Sequence, residues 1–282
     1  MKKQQVVLIG SGVILLLLLS IFGKTVPSGE PVPRPAATSA ATQFDFSVFL
    51  QQAKKNLSPA QQAFVNSLEV SVVRGDVKSQ QIKVYNQLAQ FWKDSASQAE
   101  PYAFYTAQAS KLENSEKSLN FAAQLFLDNC RGASDEGMRS WMAGEARDLF
   151  QRSLQLNPSN DSAKIGLGSS YIFGSPAGDP TQVMQGIQQI LEVARRDSTN
   201  LYAQLMLGIG GVVSGQLDRA VERLQKVVAH DPSNVEALLT LADAYERKGD
   251  KVKAAQWYEA SKQLIRNPVI IKEIDEHLKT LK

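Results

Sequence analysis

Catalysis needs a base, a nucleophile, a metal set or a phosphate cradle, and the residues able to supply one are sparse in this sequence. There are two histidines, His230 and His277. His230 stands directly before Asp231-Pro232, and His277 lies among the charges of the last apolar-periodic stretch. Neither has the spacing of a zinc-binding histidine pair on one helical face, so both read as surface or end-cap residues. Cys130 stands alone, makes no intramolecular disulfide, and reads as a small buried residue near a helix end. Gly166-Leu167-Gly168 and Gly208-Ile209-Gly210-Gly211 look like pieces of a phosphate loop, but each lacks the third glycine and neither follows a strand. Each lies within helical periodicity, where a Gly costs about 1 kcal/mol relative to Ala. Close helix packing is the better reason for them. The adjacent carboxylates Asp135-Glu136 read as loop-borne, with nothing nearby to raise a pKa. The residue types point away from an enzyme and imply no cofactor and no metal.

What these residues sit on is therefore the more informative question. The chain has 282 residues, 43% of them hydrophobic, enough for a long stack of elements. Its 31 basic and 28 acidic residues are interspersed and leave a formal charge of +3, too little to suggest nucleic acid. Residues 6–23 (VVLIGSGVILLLLLSIFG) carry no charge. As a helix they would span about 27 Å, enough for a bilayer core. Lys2 and Lys3 precede the run, which places residues 1–5 in the cytoplasm. A cleaved signal peptide is the competing reading, but Gly23-Lys24-Thr25-Val26-Pro27 makes a poor cleavage site. No Cys follows the run closely enough to carry a lipid. An uncleaved transmembrane signal-anchor is expected. Residues 24–43, with Pro27, Pro31, Pro33 and Pro35 followed by Ala, Thr and Ser, read as a disordered linker.

From residue 44 onward the apolar pattern is helical to the end. Residues 44–160 read as degenerate helical repeats. They comprise a first helix near Phe46, a helix opened by Ser58-Pro59, another ending at Trp92, and a pair over 101–111 and 116–129. A loop is expected at 131–138, followed by a helix from Trp141 to Leu156. Over 161–282 the sequence repeats itself. Leu207, Gly215 and Ala220 recur 34 residues later as Leu241, Gly249 and Ala254, and Asn200 recurs as Asn234. A fixed period of this length marks stacked helical hairpins, each unable to bury its apolar stripe alone. Ser214-Gly215-Gln216 and Lys248-Gly249-Asp250 divide each unit into two helices, with Gly in the left-handed conformation. Ile270, Ile274, Leu278 and Leu281 form one stripe on a final helix that caps the stack.

Leu241-Ala242, Tyr245, Ala254 and Tyr258, with Leu207-Gly208, Ala220, Leu224 and Pro232 in the preceding copy, resemble the tetratricopeptide repeat. Leu167-Gly168 and Tyr171 match again. Gly211 departs from the pattern, where an aromatic residue is usual. The resemblance implies an all-α, right-handed superhelix of helical hairpins whose first helices line a concave groove. By alignment that groove would present Ile165, Ser169, Ile172 and Phe173, then Leu205, Ile209 and Val212, then Leu239, Asp243 and Glu246. The Lys and Asn that some members use to clamp a terminal carboxylate are replaced here by Ile165, Leu205 and Leu239.

The expectation is a membrane-anchored scaffold for a protein or peptide partner, similar to anchored tetratricopeptide proteins of the bacterial envelope. Its repeat domain would face the periplasm, and neither nucleic acid nor a small-molecule substrate is implied. The alternative is a holdase-like periplasmic chaperone, or an accessory factor for translocation or cytochrome maturation.

Overall fold

The computed structural model describes residues 44–74, 77–176 and 179–281. The expected membrane span at 6–23 and the linker at 24–43 lie outside the described residues. Among the described residues no helix is long and apolar enough to cross a membrane.

Thirteen helices and no strand form among these residues. In chain order they are α1 (Phe46–Lys55), α2 (Pro59–Arg74), α3 (Lys78–Asp94), α4 (Ala99–Glu113) and α5 (Glu116–Gly132). Then come α6 (Glu136–Leu156), α7 (Asp161–Phe173), α8 (Pro180–Arg196) and α9 (Leu201–Val213). The chain closes with α10 (Leu217–His230), α11 (Val235–Arg247), α12 (Lys251–Lys262) and α13 (Pro268–Leu281).

One turn chemistry, used three times, starts the first helix of each repeat. Asn157, Asp197 and Asp231 each accept from the backbone N–H and the hydroxyl of the residue two places on, Ser159, Thr199 and Ser233. Asn160, Asn200 and Asn234 then cap α7, α9 and α11, accepting from the N–H of Ala163, Ala203 and Ala237 at 2.8–3.0 Å. Such caps pair donors that the first helical turn cannot pair itself. The opposite turn is closed by glycine. Gly215 has φ +76° and Gly249 φ +83°. Gln216 N–H bonds back to Gly211 O while Gly215 N–H reaches Val212 O, and Asp250 and Gly249 do the same to Tyr245 and Glu246. This is the Schellman arrangement, and it reverses the chain within three residues.

The helices pair as α5–α6, α7–α8, α9–α10 and α11–α12, and each hairpin packs its second helix on the first helix of the next. The first helices α5, α7, α9 and α11 approach one another in series more closely than the second helices do. The stack therefore curves with the first helices on its inner side. The pairing differs upstream from the sequence expectation, because α4 packs chiefly along α3 and leaves α5 to α6. The expected loop at 131–138 contracts to Ala133–Asp135. Asp135 accepts from Met138 N–H at 2.6 Å and caps α6, while Glu136 occupies the first turn. The two adjacent carboxylates are thus a helix start.

Burial follows the layers. Ile190, Met206, Leu224 and Leu241 fill the repeat core, and Leu119, Phe126, Leu149 and Phe150 fill the α5–α6 layer. Leu88 and Trp92 anchor the N-terminal helices. Helix α1 is pinned across α4 and α6, where the Phe46 ring lies 4.4 Å from that of Phe104 and stacks on Trp141 at 4.5 Å. The helical glycines of the repeat half do pack closely. A Cβ on Gly186 would stand 2.3 Å from Gly168 O, and one on Gly166 would overlap the Phe150 ring.

Candidate functional site

The inner face is built from α7, α9 and α11, with the C-terminal turns of α5 lying over it. Three contacts place α5 there. The Arg131 guanidinium lies 4.9 Å above the Phe173 ring of α7 and forms an ion pair with Glu236 in the first turn of α11. Tyr202, in the first turn of α9, has its hydroxyl pKa raised by burial and by the nearby Asp128 of α5, with Gln124 as an opposing hydrogen-bond partner.

This arrangement sorts the ten residues expected to face a groove. Ile165, Ile172, Leu205 and Val212 lie within the repeat core, and Ser169 is fully buried with no partner for its hydroxyl. Phe173 is half-buried beneath Arg131. Ile209, only 9% exposed, and Leu239 line an open cleft of about 560 Å³. Val235, Thr240, Glu236 and Arg131 complete its wall. Asp243 bonds to Arg247 at 2.9 Å, and Arg247 also reaches Val212 O at 3.4 Å. Glu246 accepts from the Tyr258 hydroxyl at 3.2 Å and pairs with His277 Nε2 of α13 at 2.8 Å. Burial raises the Tyr258 pKa, and the Glu246 charge raises it further.

The cleft has an apolar floor with one cation and one carboxylate already paired at its mouth. That suits a side chain or short segment of a protein partner that can exchange with this ion pair. Among the described residues no group of His, Cys, Asp and Glu is placed to hold a metal. Cys130, fully buried at the end of α5, has its thiol pushed up to about 11 by burial and donates to Arg139 O at 3.4 Å. His230 Nδ1 lies 2.8 Å from Lys226 O on the exposed side of α10. The roles of Arg131 and Glu236 escaped sequence reasoning, since 105 positions separate them and neither belongs to a repeated motif.

Comparison with known proteins agrees with this architecture. Residues 205–267 match the tetratricopeptide repeat family model. TTC0263, a thermophilic TPR protein of Thermus thermophilus, superposes with a TM-score of 0.52 at 13% identity, over 73% of this chain and 98% of that one. MamA 41-end from Desulfovibrio magneticus RS-1 is 20% identical over 67% of this chain and 96% of its own, with a TM-score of 0.46. Cellulose synthase 1 operon protein C of Komagataeibacter xylinus is 28% identical over 172 residues, 58% of this chain. The chain spans 13% of that relative's length. Residues 205–267 thus carry tetratricopeptide repeats, within a described chain that is all-α and shares its stacked-hairpin fold with a tetratricopeptide protein.

Proposed function

We propose that this protein is a non-enzymatic adaptor that holds a protein partner on the inner face of its helical stack. Residues 6–23 anchor it in a bacterial cytoplasmic membrane, and residues 24–43 extend the repeat domain into the periplasm. The partner site is the cleft between α9 and α11, and the observation that carries this reading is its composition. Half-buried Val235 and Leu239 border the cleft beside the Arg131–Glu236 pair, with the edge of core residue Ile209 at its floor. The anchoring rests on the uncharged run at 6–23, flanked by Lys2 and Lys3.

A photo-crosslinking residue placed at Leu239 in intact membranes tests the partner site. It should yield one discrete adduct that is absent when the crosslinker replaces Val48, which is exposed on α1. Leu239→Asp should abolish partner recovery with the helical signal unchanged. Identical adducts from both positions, or none from Leu239, would refute the assignment. Protease treatment of spheroplasts tests orientation, and protection of the repeat domain would contradict a periplasmic placement.

A further inference from the structure

A second surface lies at the C-terminal end of the stack, away from the α9–α11 cleft. Helices α12 and α13 enclose a groove of about 800 Å³. Its floor is Val252, Ala255, Leu278 and Leu281. Leu278 and Leu281 are buried by their own packing, but Val252 is 71% exposed, the most open of the large apolar side chains among the described residues. The 34-residue period pairs Val252 with Asp218, whose side chain is 90% exposed, so Val252 is a large apolar residue at a solvent-facing position. Val221, one period before Ala255, is buried in the repeat core, whereas Ala255 at the end of the stack stays half-buried.

The rim is charged with a direction. Lys251 opens α12 and Lys279 closes α13, so the antiparallel pair brings two ammonium groups to one end of the groove. Glu259 and Asp275 line the other part. Lys262 bridges these two carboxylates at 2.7 and 2.8 Å, which leaves one cation for two anions. From Val252 to Glu259 is two helical turns, about 10 Å along α12.

We infer that this groove seats an amphipathic helix from a partner protein, running parallel to α12. Its first turn carries Asp or Glu facing Lys251 and Lys279. A Lys or Arg two turns later faces Glu259 and Asp275, and an aliphatic stripe at i, i+3, i+4 and i+7 covers Val252 and Ala255. The polarity selects the direction, because acidic residues stabilise a helix at its N-terminus and basic ones at its C-terminus. An antiparallel guest would need the reverse pattern and would be weakened as a helix by the charges that let it bind.

The test uses the full chain in mild detergent and two fluorescein-labelled helical peptides of equal composition with a Leu/Ala stripe. One has an acidic first turn and a basic third turn, and the other has the blocks exchanged. Anisotropy titration should show at least about tenfold tighter binding of the first. Val252→Asp, a surface change, should weaken that binding about tenfold with circular dichroism unchanged, and the double change K251E/K279E should invert the preference. Equal affinity of the two peptides, or a V252D protein that binds as the parent does, would overturn the proposal. So would a concentration-dependent self-association in sedimentation velocity that V252D removes, because the occupant would then be a second copy.

Discussion

Substituting Gly186 by Ala probes the closest approach of a helical glycine to the backbone of a neighbouring helix. The added Cβ would meet Gly168 O at 2.3 Å, Ile172 Cγ1 at 2.9 Å and Tyr171 Cβ at 3.0 Å. The nearest obstacle is backbone, about 1 Å inside ordinary carbon contact, so no rotamer change relieves it and α7 must move away from α8. Overpacking costs about 1–3 kcal/mol, and an obstruction by backbone belongs at the upper end. Replacing a helical Gly by Ala returns about 1 kcal/mol, for a net loss of about 2 kcal/mol. In a domain of this size that lowers Tm by about 4–8 °C. Gly144→Ala is the matched control, since it lies inside α6 with nothing within 4 Å of its added Cβ. That variant should gain about 0.5–1 kcal/mol. Thermal melts and urea titrations followed by circular dichroism compare the two, and amide hydrogen exchange should confine the G186A loss to α7, α8 and their neighbours. The reasoning fails if G186A melts at or above the temperature of G144A.

Removing a repeat cap by Asn234→Ala should cost about 1 kcal/mol, read as a lower urea midpoint with accelerated exchange in the first turn of α11. Reversing one charge in R131E should loosen α5 from α11, raising proteolytic cutting near residues 131–135, and R131E/E236R should restore protection; a double variant as labile as the single one would deny the pair its role. Asp197 and Asp231 have pKa values lowered from 3.8, chiefly by hydrogen bonds from the Thr199 and Ser233 side chains. Because the folded values lie below the unfolded ones, their stabilisation is complete above about pH 4 and is lost as pH falls through the folded pKa. D197N/D231N should therefore flatten the acid limb of a stability–pH curve and leave the slope of its neutral region unchanged.

Much of the repeat half was legible because it is written in local chemistry. The 34-residue recurrence of Asn200 and Asn234, and of Gly215 and Gly249, specifies where each helix starts and how it stops. The structure gives Gly215 and Gly249 the expected positive φ angles and shows the recurring Asn200 and Asn234 to be helix caps. Helical glycines were legible as packing residues for the same reason, since a costly residue inside a helix implies a close neighbour. The start of α6 was not, because Asp135 and Glu136 resemble any polar loop until the helix behind them is known. Nor was the pairing of α4 with α3 and of α5 with α6, for which no repeated turn gives a register.

The sequence by itself determined the helical elements, their period and the apolar stripes that oblige them to stack, because caps, turns and periodicity act over a few residues. Only the tertiary structure decided which inner-face residues remain reachable. Curvature brings Arg131 onto Phe173 and Glu236, and Ile165, Ile172, Leu205 and Val212 lie in the core, while half-buried Leu239 and the edge of Ile209 border a cleft. Exposure depends on where helices far apart in the chain come to rest. A 34-residue pattern describes each unit alike and cannot state that difference.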